Sequence, residues 1–340
     1  VKIGVLGAGA IGAHVGIRMA AGGPAVVLVG RPRLVEQHAA GRLSARTLAG
    51  VHVPASATLR CTTELAALAD ADLVLVCVKS RDTAAVGQAL AELLRDRAEP
   101  PLVVSLQNGL RNPEVLREQG LRRVLAGMVS FNVFEQDGEY RQASSGPLVI
   151  ESPRPFPAQL VTLARIAQSC DLELEWRDDM LAVQAGKLLL NLNNAICTLA
   201  GASIAESLRS RDLRRCFAAS MREGLAILRG AGIPAKPFLK LPIGLLPHVL
   251  GLPDAIVLRV AKSLISIDPG ARSSTLQDLE RGRPTEIDAL NGELVALADR
   301  HGLPCPVNRW IVARIHAMER EQPPRFHAPD ELWATIAGLR

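Results

Sequence analysis

Over the first half of the chain, short apolar runs alternate with segments of helical period. VKIGVL at residues 1–6 reads as a buried parallel strand, 11–21 as a helix, and AVVLVG at 25–30 as a second strand. Small strands are expected around 48–53 and a short helix at 66–70. The apolar strand ADLVLVCVK at 71–79, a helix at 82–94 and the strand PLVVSLQ at 101–107 follow. Strands that are apolar on both faces and separated by helices predict a parallel sheet covered on both sides. Residues 124–133 and 146–150 extend that sheet, and 159–169 reads as a helix after the punctuation of Pro153, Pro155 and Pro157.

From residue 181 the texture changes. Helical patterns take over at 181–199, 204–228, 255–266, 286–301 and 306–320, and strand patterns nearly vanish. The expected fold is therefore α/β: a Rossmann-type parallel-sheet domain over 1–178, then an all-helical domain over 179–322. A loosely attached tail with a short helix near Leu332 would occupy 323–340. Residues 239–252 are rich in Leu and Pro and poor in charge, a candidate homodimer contact or a cap.

Composition narrows the function classes. Of 340 residues, 48% are hydrophobic and only 3% aromatic, with Tyr140 the single tyrosine, so stacking platforms for nucleic acid are not expected. The net charge of +5 is spread without a basic run, which suits a small anionic ligand better than a nucleic-acid surface. The six cysteines form no C-x-x-C pair, and the seven histidines show no metal-ligand spacing, so buried free thiols and no metal site are expected. The absence of an apolar leader and of a long apolar span leads to an expected cytoplasmic protein with no membrane contact.

GAGAIG at 7–12 follows the first strand and opens a helix. In that setting Gly7 permits the tight turn, Gly9 the approach of a pyrophosphate and Gly12 close helix–strand packing, while the helix N-terminus favours phosphate. Arg31 closes the second strand where an NAD-specific enzyme would hold a carboxylate. An arginine there suits a 2′-phosphate, with Arg33 as helper, so NADPH/NADP+ is the expected cofactor. Lys79 and Asn108 stand at the carboxyl ends of later strands, where ligands of such sheets bind.

GKLLLNLNN at 186–194 places Lys187 and Asn191 on one helical face with Asn194 nearby. Polar groups in so apolar a helix need partners, a ligand carbonyl or carboxylate among them. In the cluster at 272–292, Ser273 and Ser274 are candidate caps for a helix near Thr275. Thr285 is a candidate cap for the next helix, with Asp288 completing a shortened box and Glu286 in the first turn. Asp278, Glu280, Arg281 and Arg283 read as a local ion-pair network.

With GAGAIG, Arg31, VKS at 78–80, QNG at 107–109, GKLLLN at 186–191 and SSTLQDLERGRPTEID at 273–288 in this order, the chain resembles the ketopantoate reductases (2-dehydropantoate 2-reductases). The resemblance implies NADPH-dependent reduction of 2-dehydropantoate to (R)-pantoate, toward coenzyme A, with the active site in a cleft between the two domains. It implies that Lys187 is the catalytic acid and Glu286 its partner. Asn108, Asn191, Asn194, Arg272 and Ser274 would contact the small 2-oxo acid. Gly7, Ala8, Gly9, Ala10, Ile11, Gly12, Arg31, Lys79, Asn108 and Glu286 would contact the cofactor. The chain departs from many members at Ala195 and Ala271, where they carry asparagine, at Thr275, and in a longer 235–268 segment. Two other readings stay open: a reductase of a different branched or larger 2-oxo acid, and a non-catalytic NADPH-binding sensor.

Overall fold

The computed structural model describes residues 1–236, 242–254, 257 and 272–339. Ala271, and the helix expected at 255–266 apart from Val257, lie outside these. Two compact units emerge, Val1–Met180 and Leu181–Arg340.

The first unit holds twelve strands. They are β1 (Lys2–Leu6), β2 (Ala25–Val29), β3 (Ser44–Arg46), β4 (His52–Pro54), β5 (Leu59–Thr62) and β6 (Leu73–Val76), then β7 (Leu102–Ser105), β8 (Val124–Val129), β9 (Val133–Gln136), β10 (Glu139–Gln142), β11 (Leu148–Glu151) and β12 (Leu174–Arg177). Eight form one sheet in the order β12-β11-β8-β7-β6-β1-β2-β5, parallel except where β11 meets β8. Its helices are α1 (Ala10–Ala21), α2 (Pro32–Ala39), α3 (Thr83–Leu93), α4 (Asn112–Glu118) and α5 (Ala158–Ser169). Because side chains alternate along a strand, Val26 and Leu28 of β2 join Val15, Met19 and Leu163 in one core. Val27 and Val29 join Leu90 and Leu116 in the other.

The remaining strands make a second sheet, β4-β3-β10-β9. Here the pattern misled. The run 124–133 breaks after Val129, and β9 belongs to the second sheet; most of 48–53 is the turn between β3 and β4, closed by Gly50 at φ +85°. The 66–70 segment is a 3-10 turn, Leu65–Leu68. Strand β12 escaped notice because it lies at the sheet edge and is only partly buried, so LEWR lacks an apolar run. The second sheet also explains two buried polar residues of α1. His14 Nδ1 donates to the Tyr140 carbonyl at 2.9 Å, and Arg18 donates to Gln142 Oε1 of β10 at 3.3 Å, its other nitrogen reaching the carbonyls of Cys170 and Asp171 after α5 at 2.8 and 2.5 Å. Burial pushes the His14 imidazole down to about 4, so it stays neutral.

The second unit holds α6 (Met180–Ala200), α7 (Ile204–Arg209), α8 (Arg211–Gly230), α9 (Leu246–Leu250), α10 (Ser274–Glu280), α11 (Asn291–His301), α12 (Pro306–Arg320) and α13 (Pro329–Gly338). The single helix expected over 204–228 is two. Ser203 caps α7 in a capping box with Glu206, and Ser210 caps α8 by accepting from the Leu213 N–H. Glu223 of α8 accepts from the N–H groups of Val307 and Asn308 at 2.9 and 2.7 Å, anchoring the start of α12. The tail is docked, contrary to expectation: Leu332 and Ile336 of α13 are 0% exposed, Arg215 lies over the Trp333 ring, and the His327 N–H bonds the Leu199 carbonyl. Its spacing of apolar residues is helical, but the two prolines before it disguise how firmly it packs.

Candidate active site

The β1–α1 turn is shaped by glycine. Gly7 takes φ +89°, and a Cβ on it would lie 2.6 Å from the Val78 nitrogen. A Cβ on Gly12 would lie 2.7 Å from the Gly7 carbonyl oxygen. Gly9 opens onto free space and brings no side-chain cap to α1, and the first turn of α1 carries no acid. Such a bare helix N-terminus behind a glycine turn is a cradle that fits the pyrophosphate of a dinucleotide. Ala8, Ala10 and Ile11 complete the turn. Arg31 stands exposed at the entry to α2, with no ion pair among the described residues. Arg33, the expected helper, pairs with Glu135 at 2.9 Å.

Lys79 and Asn108 follow β6 and β7, and a polar network missed in the sequence stitches their loops together. Ser80 Oγ donates to the Asn108 carbonyl at 3.0 Å. Asn112 Nδ2 donates to that carbonyl and to Ser80 Oγ, while Thr83 Oγ1 donates to Asn112 Oδ1. Gln107 Nε2 closes the set on the Val78 carbonyl and Thr83 Oγ1. Buried polar residues between two strand ends were the available signal. The network leaves the Asn108 side chain half-buried and outside every hydrogen bond among the described residues, so its amide can both donate and accept.

In the second unit, α6 carries Lys187 between buried Gly186 and Leu188. Part of the residue stays accessible, but the crowd of protein around the ammonium pushes it down to about 8, and the Glu286 carboxylate partly opposes that shift. A lysine so tuned can hold or release its proton near neutrality. Gly186 is what permits the neighbouring chain to pass: the Lys236 N–H bonds the Ala182 carbonyl at 2.9 Å, and any Cβ on Gly186 would collide with the Lys236 carbonyl. The glycine before the lysine in GKLLLN was its signal.

Asn191 and Asn194 are half-buried on α6, while Ala195 is wholly buried. The Asn194 carbonyl accepts from Thr198 Oγ1 at 2.7 Å and from Ser273 Oγ at 3.2 Å, which ties the start of α10 to α6. Ser273 is the cap of α10, accepting from the Leu276 N–H, and Ser274 is exposed in its first turn. Arg272 pairs with Glu280, one member of the local ion-pair network expected here, and stays partly exposed. One expectation needs correction. Thr285 and Asp288 form no capping box, because the segment after Glu286 is a 3-10 turn, Ile287–Ala289, and α11 starts only at Asn291. Thr285 instead donates to Glu319, and Asp288 faces His316.

Known proteins align with this arrangement along most of the chain. The model of "Ketopantoate reductase PanE/ApbA" matches residues 3–155, and that of its C-terminal region matches 179–319. A 2-dehydropantoate 2-reductase of Archaeoglobus fulgidus is 27% identical over 322 residues, covering 94% of this chain and 98% of that protein. Its counterpart in Halobacterium salinarum is also 27% identical, covering 94% and 99%. The crystal structure of a ketopantoate reductase from Ralstonia eutropha superposes with a TM-score of 0.79 at 30% identity, covering 95% of this chain and 99% of that one. With its Rossmann-type sheet, its glycine cradle and its lysine-bearing helix matched on both units, the chain belongs to the ketopantoate reductase family, whose relatives are oxidoreductases acting on a small keto acid.

Proposed function

We propose that this chain reduces 2-dehydropantoate to (R)-pantoate with NADPH, a step toward coenzyme A. The observation that carries the reading is Lys187: a lysine held near pKa 8 by burial and by Glu286, on the helix that the family match includes. NADPH, when bound, supplies the hydride to the ketone carbon. The glycine turn at 7–12 holds its pyrophosphate, Arg31 its 2′-phosphate, and Lys79 a further phosphate oxygen or ribose hydroxyl.

At the ketone oxygen, the Lys187 ammonium polarises the carbonyl and passes its proton as negative charge develops there. Glu286 favours the charged lysine, so the proton is present before the step and restored after it. Asn108 and Asn191 orient the carbonyl and the amine, and Asn194 takes part beside buried Ala195. Ser274 binds the substrate carboxylate. Spectrophotometric NADPH oxidation with 2-dehydropantoate, 2-oxoisovalerate, 2-oxopantolactone and bulkier 2-oxo acids tests the assignment. Turnover highest with 2-dehydropantoate supports it; preference for a bulkier acid would move the chain to a sister activity, which Ala195 in place of an asparagine favours. NADPH binding without turnover on any acid would point to a sensor.

A further inference from the structure

The loop that carries Glu286 is gripped on both sides by one helix. On the residue before it, the Thr285 N–H and hydroxyl both donate to Glu319 Oε1, at 2.8 and 2.7 Å. Two residues after it, Asp288 Oδ1 lies 2.9 Å from His316 Nε2. His316 Nδ1 lies 3.0 Å from Glu319 Oε2, so a single chain runs Thr285–Glu319–His316–Asp288. Both ring nitrogens face carboxylate oxygens. A neutral imidazole has one donor; satisfying both contacts takes the imidazolium.

The charged groups facing the ring are Asp288 from the loop and Glu319 from its own helix. Burial alone would lower His316, yet the two carboxylates outweigh it and the ring is raised above its ordinary value. Glu319 is likewise partly buried, but the Thr285 and His316 bonds hold it below the usual carboxylate range. The platform is firm. Helix α12 is fixed at its other end by Glu223, and the Asn291 side chain just beyond the loop bonds Asn308 of α12 at 2.9 Å.

We propose that Glu319 and protonated His316 are positioning residues: they clamp the 285–288 loop so that the Glu286 carboxylate keeps its hold on the charge of Lys187. The inference rests on the reading of Lys187 as proton donor. It has a direction. Glu286 raises the affinity of Lys187 for its proton, so loosening the loop lets burial drive the lysine further down. The clamp also has its own pH limit, because deprotonating His316 removes one of its two donors.

The test pairs two measurements on the full chain, for Glu319→Ala, Glu319→Gln, His316→Ala and the surface variant Asp288→Asn. Hydrogen exchange over residues 284–290 reads the loop, and the pH profile of kcat for NADPH-dependent reduction of 2-dehydropantoate reads Lys187. For Glu319→Ala we expect exchange faster by about 10-fold and an alkaline limb moved to lower pH. At pH 7 its kcat should fall about 10-fold, inside the roughly 10²-fold that a 1 Å misplacement can cost. Glu319→Gln keeps an acceptor for Thr285 and should recover most of the exchange protection. His316→Ala and Asp288→Asn should shift both readouts the same way, by less. Unchanged exchange in Glu319→Ala and His316→Ala together overturns the clamp, as does an alkaline limb that stays put or moves up while exchange quickens. Absence of reductase activity in the parent protein would instead defeat the functional reading, and the exchange measurements would still decide the clamp.

Discussion

Glu286 opposes the effect of burial on Lys187: the apolar surroundings push the ammonium down to about 8, and the carboxylate pulls it back toward the charged form. If reduction draws its proton from Lys187, as proposed, kcat should fall as pH rises through about 8. Glu286→Gln removes the opposing charge and should move that limb to lower pH. Steady-state rates from pH 6 to 10 with saturating cofactor and substrate check both; a limb that Glu286→Gln moves upward would break the coupling.

Arg31 stands exposed beside the glycine turn, well placed for a charged partner. If that partner is the 2′-phosphate of NADPH, Arg31→Ala should raise KM for NADPH by about 10- to 150-fold, the range of roughly 1.5–3 kcal/mol for bonds to charged groups, with little change for NADH. Kinetics with both cofactors measure it. Equal losses for the two would remove Arg31 from phosphate recognition.

Gly186 lets the chain at Lys236 cross directly over α6 next to Lys187. Gly186→Ala should displace that crossing, lowering Tm by several degrees, as a misfit of about 1–3 kcal/mol does, and disturbing the lysine as well. Calorimetry and kcat together check this; a variant with the parent's Tm and kcat would show that the crossing yields freely.

His14 predicts an acid-sensitive first unit. Its folded pKa is depressed from 6.5 to about 4, so the unfolded chain binds the proton more readily between those values. Stability from this group is complete above pH 6.5 and lost as pH falls toward 4, by about 3 kcal/mol. Urea unfolding at pH 7 and pH 4.5 should show the loss, and His14→Asn, which retains a donor for the Tyr140 carbonyl, should shrink it. An equal loss in the variant would assign the acid sensitivity elsewhere.

The two-face apolar strands and the helical period after residue 181 made the architecture legible, because burial on both sides of a sheet leaves so plain a signature. The glycine turn and Lys187 stood out for a similar reason: each is a residue whose type fits its setting poorly unless it has a task, whereas Glu286 came forward only through the family resemblance. What escaped were long-range relations. Nothing local says that Arg272 would turn to Glu280, that Arg33 would be taken by Glu135, or that Thr285 would find Glu319 on a later helix. The edge strand β12 and the docked α13 were hidden by composition, the first because half of it faces solvent and the second because prolines precede it.

Lys187→Ala is the most direct measurement of the central claim. With NADPH and 2-dehydropantoate, kcat should drop by about 10²- to 10⁴-fold, the span that a positioned general acid contributes, while the Kd for NADPH from fluorescence titration stays within about twofold. A variant that retains near-parental kcat would contradict the account, and so would one whose lost activity is explained by lost cofactor binding.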